Sequence, residues 1–295
     1  MACSRGSAGS DHADFCCDKR FSVVKNTDRL AELIERDAWL DLFASAPDHV
    51  RDSLGLASTT IADMGLLGCR AFPITELNRA MAVGAQSAPS ADDLDAVASW
   101  LDEHAVSWAL QIAPGAQTPV LDEYLARAAM SKAGSGWAKF VATDDLSPRA
   151  PSDGPANIEV LSGVGAEAFG RAVVEGFGLP AVCEAWFAAL VDRPSWRCFG
   201  ALVDGDVAGV GSMFVRDGAA WFGIEATRPA FRGRGIQRSI VAAQMSAASS
   251  AGATILTCET AQPADPADEG YSSYRNQERA GLLHRYVRPN FKRPA

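Results

Sequence analysis

The stretch best equipped for chemistry runs from Thr227 to Gln237, Thr-Arg-Pro-Ala-Phe-Arg-Gly-Arg-Gly-Ile-Gln. It reads as a strand end, a turn carrying Gly233 and Gly235, and the start of a helix. The first N–H groups of a helix have no partner inside it and the helix dipole adds positive charge, so such a junction holds an anion on main chain. The glycines keep side chains out of the way. Arg228, Arg232, Arg234 and Arg238 fall within eleven consecutive residues that include no acid, which suits a ligand with more than one phosphate. The expected ligand is a pyrophosphate.

The elements around this turn set its context. Residues 163–189 have apolar spacing for two helices, with Phe169, Val173, Val174 and Phe177 on one face of the first. Three strand-like runs follow, 196–203, 207–215 and 219–227, separated by Asp204-Gly205 and Asp217-Gly218, the pairs preferred in two-residue hairpins. They form an antiparallel meander that ends in the glycine turn. Beyond it, 236–250 has a helical face of Ile236, Ile240, Val241 and Met245, 253–258 reads as a buried strand, 272–280 as a short helix and 282–287 as a further strand.

The 295 residues exceed what one core usually serves, so two domains are expected. A Pro/Ser/Asp/Gly stretch without apolar periodicity, 143–157, is the linker between them. With 48% hydrophobic and 21% charged residues and no run long enough for a membrane span, the composition is that of a soluble globular protein. The first twenty-five residues have no apolar segment typical of a signal peptide, which favours a cytoplasmic location. Seven cysteines without paired spacing and four histidines never at ligand spacing argue against a disulfide framework and against a metal site. Net charge −9 speaks against nucleic acid as the main partner. The excess acid lies in the first half, where 1–150 hold 13 basic and 21 acidic side chains against 14 and 15 in 151–295. Basic clusters at 228–238 and 275–293 then point to a small anionic cofactor.

This order of elements, with Pro229, Arg232 and Gly235 at their places, resembles the acyl-coenzyme A motif R/Q-x-x-G-x-G/A of the GNAT acyltransferases, over roughly residues 158–290. Gln237 stands where that motif has Gly or Ala. Ser273-Tyr274-Arg275-Asn276 resembles the second coenzyme A segment of a GNAT subgroup, with Asn276 on the pantetheine arm. The family's usual tyrosine, four residues before the glycine that ends this helix, is replaced by Gln277. The first half echoes the order: 91–103 helical, 106–112 strand, 120–130 helical and 137–143 strand, with no Arg-Gly-x-Gly segment. The resemblance implies an α/β (α+β) GNAT fold, a mixed central sheet flanked by helices, as two GNAT-like domains in tandem; an unrelated α/β first domain is the other reading. The expected divisions are a disordered terminus over 1–20, a degenerate GNAT-like domain over 21–147 and a catalytic acyl-CoA-binding domain over 157–295. Asn78-Arg79 fits either a vestigial loop or the cleft between the domains, and a first domain covering that cleft would supply acceptor contacts that no motif reveals.

The resemblance implies an N-acetyltransferase that transfers acetyl from acetyl-CoA to an amine of a small molecule or peptide by direct attack, without metal. Arg232, Gly233, Arg234, Gly235, Ile236 and Gln237 would hold the pyrophosphate, and a main-chain N–H near Ala226 or Thr227 would polarise the thioester carbonyl. Glu225 is the first candidate base; its strand alternation groups it with Trp221, opposite Phe222 and Ile224, and burial beside the thioester would raise its pKa. Its other reading is a structural carboxylate paired with an arginine. Glu259, expected on the same splay, is the second candidate base or else a cap for the loop that follows, and Tyr286 is either a proton donor to the thiolate or a packed strand tyrosine. A non-catalytic acyl-CoA-binding regulatory module is the alternative, motivated by Gln237 and Gln277. A phosphotransfer enzyme is disfavoured because GxxxxGK[ST] is absent, and a dinucleotide oxidoreductase because GxGxxG is incomplete.

Overall fold

The computed structural model describes residues 15–143, 146, 157–265, 268 and 270–294, with 15–25 and 164 described by backbone alone. Helices α1 (Phe15–Ala44) and α2 (Asp48–Leu54) open the chain. Of the terminus expected over 1–20, residues 15–20 belong to α1 and 1–14 lie outside the described residues. Strands β1 (Leu56–Ile61), β2 (Met64–Cys69) and β3 (Arg79–Val83) lead to α3 (Ala91–His104), β4 (Ala109–Ile112), α4 (Pro119–Arg127) and β5 (Ser131–Ala142). Both later helices start on side-chain caps. Ser90 and Asp93 form a reciprocal capping box for α3, and Thr118 accepts from Leu121 ahead of Pro119 in α4. Most of the expected linker, 144–145 and 147–156, lies outside the described residues.

The second half repeats the order with strand β6 (Asn157–Val160), helices α5 (Ala166–Phe177) and α6 (Glu184–Ala188), the meander β7 (Trp196–Val203), β8 (Asp206–Arg216) and β9 (Ala219–Thr227), then α7 (Ile236–Ser250), β10 (Ile255–Ala261), α8 (Ser272–Ala280) and β11 (Leu283–Lys292). Asp204-Gly205 and Asp217-Gly218 make the expected two-residue turns, all four residues at positive φ. Each half thus has an antiparallel run, of three strands in the first and four in the second, then a crossover helix, a parallel strand, a second helix and a closing strand.

The two halves share one eleven-stranded mixed sheet, in the order β1-β2-β3-β4-β11-β5-β10-β9-β8-β7-β6. The parallel pairs are β3 with β4 and β9 with β10, each joined through its crossover helix. The closing strands are exchanged. The first half's β5 pairs with β10 of the second, the second half's β11 pairs with β4 of the first, and β5 and β11 pair with each other at the centre. This is a tandem GNAT-like architecture in which neither half completes its sheet alone.

Helix α1 lies across both halves, burying Ala31, Ile34, Ala38 and Leu42 at helical spacing. The core it joins includes Trp186 of α6, Phe169 of α5 and Trp221 of β9. On the opposite face Ile236, Ile240, Val241 and Met245 of α7 pack on Phe222 and Met213. A second such layer, from α3 and α4, covers the first half. Cys183 and Cys198 are buried, and desolvation pushes their thiols up to about 11 and about 12.

Under α1, where the exchanged strands meet, lies a cluster of buried charge in which Glu259 alone keeps partial exposure. Arg288 of β11 pairs with Glu32 at 2.8 Å, with Glu35 at 2.6 Å and with Glu259 of β10. Arg79 of β3 pairs with Glu259 at 3.0 Å, and Lys139 of β5 pairs with Glu35. Three cations face three carboxylates, so the charge is balanced and the pairs link both halves to α1.

Candidate active site

Strand β9 pairs with β10 only through Ala219, Ala220 and Trp221, and beyond them the two parallel strands separate. On its other edge the β9 register slips between Val210↔Ala226 and Ser212↔Gly223, leaving Ile224 and Glu225 opposite Gly211. Ile224 has φ +57, costly for a β-branched residue and sustained by its surroundings. The Ser212 hydroxyl donates to the Gly223 carbonyl at 2.9 Å, and Gln244 of α7 donates to the Ser212 carbonyl at 2.9 Å. This bulge overturns the simple alternation expected for the strand. Trp221 and Ile224 pack on the α1 side, whereas Glu225 lies on the α7 side, where its Cγ is 3.3 Å from the Cβ position of Gly211.

The separation of β9 from β10 opens a cleft of about 870 Å³. Its walls include Glu225, Ala226, Thr227, residues 231–238, Ser273, Asn276 and Arg279. Every cofactor residue expected from the sequence is among them: Ala226, Thr227, Arg232, Gly233, Arg234, Gly235, Ile236, Gln237 and Asn276. Gly233 and Gly235 both have φ +75, and a Cβ at Gly233 would meet nothing within 4 Å, so the turn lies open. Gly235 caps α7 without any side-chain acceptor, leaving the first-turn N–H groups toward the cleft for an anion.

The arginines divide by task. Arg228 is held by Glu175 at 2.6 Å, and Arg232 donates to the Gly176 carbonyl at 2.8 Å, tying the turn to α5. Arg234 stacks over Phe231 at 5.4 Å; it, Arg238 and Arg279 line the cleft with no ion pair among the described residues. Arg279 was not singled out from the sequence, although it stands one helical turn after Asn276 in α8, the spacing that puts both on one face.

Glu225 sits on the cleft wall with its Oε1 sealed from solvent and unbonded. Its Oε2 accepts from Gln277 at 3.0 Å and from Gln237 at 3.3 Å. Desolvation pushes its pKa up to about 6 against the lowering effect of these amides. Gln237 also donates to Ser273 at 2.9 Å and accepts from Asn276 at 2.9 Å, so β9, α7 and α8 meet in one polar chain. No arginine pairs with Glu225 among the described residues.

Glu259 and Tyr286 lie elsewhere. Glu259 faces Arg79 and Arg288; burial alone would raise its pKa, but these two cations and Lys139 outweigh burial and hold it well below the usual carboxylate range. The Tyr286 hydroxyl donates to Glu32 at 2.6 Å, and burial together with that carboxylate raises its pKa. Neither residue lines the cleft that holds Glu225. Among the described residues no three His, Cys, Asp or Glu side chains are placed to hold a metal ion, and no helix is long and apolar enough to cross a membrane.

Exchanged closing strands, a separated parallel pair and an uncapped helix start beside a bulged strand define the class. A family model described as the acetyltransferase (GNAT) family matches residues 173–273. Among solved structures the chain is similar to a GCN5-related N-acetyltransferase from Kribbella flavida, at 14% identity over 84% of this chain and 94% of that one, TM-score 0.55. It is also similar to a GCN5-related N-acetyltransferase from Sphaerobacter thermophilus, at 18% identity over 69% of this chain and 68% of that one, TM-score 0.51. These likenesses establish the GNAT fold. No curated protein sequence matches the chain.

Proposed function

We propose that the protein is an N-acetyltransferase that moves an acetyl group from acetyl-CoA to an amine, with its cofactor and catalytic residues in the second half. The observation that carries this reading is Glu225, a desolvated carboxylate without a counter-cation, in the same cleft as the uncapped start of α7. The open glycine turn, Arg234, Arg238 and Arg279 suit a pyrophosphate and a further phosphate, and Asn276 suits an amide-bearing arm.

In the reaction, Glu225 takes a proton from the incoming ammonium, and the freed nitrogen lone pair attacks the thioester carbonyl carbon. A main-chain N–H of β9 near Ala226 or Thr227 stabilises the charge that develops on the carbonyl oxygen. As the C–N bond forms and the C–S bond breaks, the second proton lost by nitrogen goes to the departing thiolate. One proton is released to solvent per amide formed. Glu259 and Tyr286 are assigned to structure, because their polar atoms are engaged in the buried charge cluster.

A binding module without turnover is the weaker reading. It was motivated by Gln237 and Gln277, yet both amides support Glu225. Thiol release from acetyl-CoA with an amine panel is expected for the wild type and is expected to fall sharply in Glu225→Gln. Equal release by both proteins would remove Glu225 from the chemistry.

A further inference from the structure

A second cavity, of about 370 Å³, lies on the other side of the β9 bulge and is built by both halves of the chain. The first half contributes Trp39 of α1, the segment around Phe72 and Glu76, and Trp137 of β5; the second contributes Trp186 and Trp221. The bulge divides this cavity from the cofactor cleft, turning Ile224 into one and Glu225 into the other. Phe177, at the C-terminal end of α5, lines both spaces and is 53% exposed, an aromatic rim over the passage between them.

Its walls specify a chemistry. Four indoles and several aliphatic side chains favour an apolar, flat ligand body, and the Trp39 ring already carries the Arg79 guanidinium at 4.6 Å. Glu259 lines the cavity but is neutralised by Arg79 and Arg288. Glu76 is the other carboxylate, half-buried, with no hydrogen bond or salt bridge among the described residues. A ligand bearing its own carboxylate meets that charge unfavourably, and a polyamine has to desolvate a second ammonium against indole and Leu side chains.

We infer that this cavity is the acceptor site and that the acceptor is an arylalkyl amine without a carboxylate, its ring held between the halves and its nitrogen directed past Phe177 to the cleft. The inference rests on the acetyltransferase reading for its chemistry, but the cavity's occupancy can be measured without acetyl-CoA.

The test uses the full chain. Calorimetric titrations with 2-phenylethylamine, phenylalanine and spermidine are run on the wild type, Leu179→Trp and Glu76→Gln, with acetyl-CoA binding measured on each. Leu179 is half-buried on the cavity wall, so an indole there occludes the space without excavating the core. The expected result is at least tenfold tighter binding and tenfold higher kcat/KM for 2-phenylethylamine than for the other two. Leu179→Trp should lose the amine by a similar factor with acetyl-CoA affinity unchanged, and Glu76→Gln should narrow the margin over phenylalanine. Preference for spermidine or phenylalanine, no binding of 2-phenylethylamine, or full binding by Leu179→Trp overturns the inference. Amine binding at the cavity in a protein that does not bind acetyl-CoA would sustain the site and overturn the acetyltransferase reading alone.

Discussion

Gln277 donates from its side-chain amide to Oε2 of Glu225 at 3.0 Å, and Gln277 is itself fully buried. The residue that replaces the family's usual tyrosine therefore supports the carboxylate proposed as the base. Removing the amide while keeping the bulk, in Gln277→Leu, deletes a bond that favours ionised Glu225. The acidic limb of the kcat/KM profile should move to higher pH by about one unit, the worth of one hydrogen bond to a charged group. A Gln277→Leu profile that overlays the wild type would separate this amide from the base.

Glu225→Gln should lower kcat by about 10²–10⁴, the usual contribution of a positioned base, with acetyl-CoA affinity retained. In the wild type, kcat/KM should rise with pH through about 6 as Glu225 ionises. Steady-state kinetics between pH 5 and 9 check both.

The same carboxylate has a stability cost of opposite pH sense. Its folded pKa, about 6, lies above the ordinary 4.5, so the folded state holds the proton more tightly. The stability this gives is full below about 4.5 and is lost as pH rises through about 6. A Gln side chain never ionises. Glu225→Gln should therefore be more stable than the wild type above pH 7, by about 1–2 kcal/mol, with the gain vanishing in acid. Urea unfolding at pH 8 and pH 4.5 measures the difference.

The buried charge cluster predicts the reverse for Glu259. Its pKa is held low by Arg288, Arg79 and Lys139 against burial, so its contribution is present above its ordinary value and is lost as pH falls. Breaking the cluster from the other side, Arg288→Ala leaves Glu32, Glu35 and Glu259 short of a partner and should cost about 3–5 kcal/mol. Because β11 lies between β4 and β5, the loss should appear as one cooperative transition at a lower midpoint in calorimetry.

The second half was legible because its signals are local. Two Asp-Gly pairs fixed the meander, and the glycine turn placed the start of α7 at Ile236, where the structure has it. The bulge was not legible. A side chain such as Ile224 gives no sign of positive φ, so alternation put Glu225 beside Trp221 when the slipped register turns it toward α7. The repeat in the first half could be read from 91 to 143, but β1, β2 and α1 could not. The β1 turn is Ala62-Asp63, without glycine, and α1 presents Glu32 and Glu35 on its buried face, which hides the apolar periodicity. The exchange of β5 and β11 is a long-range pairing that no local pattern encodes. In the first half the space matching the cleft is closed, since β3 stays paired with β4 as far as Val83 and Ile112 and a Cβ at Gly84 would lie 2.5 Å from Ala116.

The central claim is that the turn at 233–235 binds the coenzyme. Calorimetric titration of acetyl-CoA into the wild type and into Gly235→Glu tests it most directly. The wild type should bind one equivalent, and the variant, with a carboxylate set at the anion site, should bind at least about 100-fold more weakly. No binding by the wild type, or equal affinity in the variant, would contradict the account.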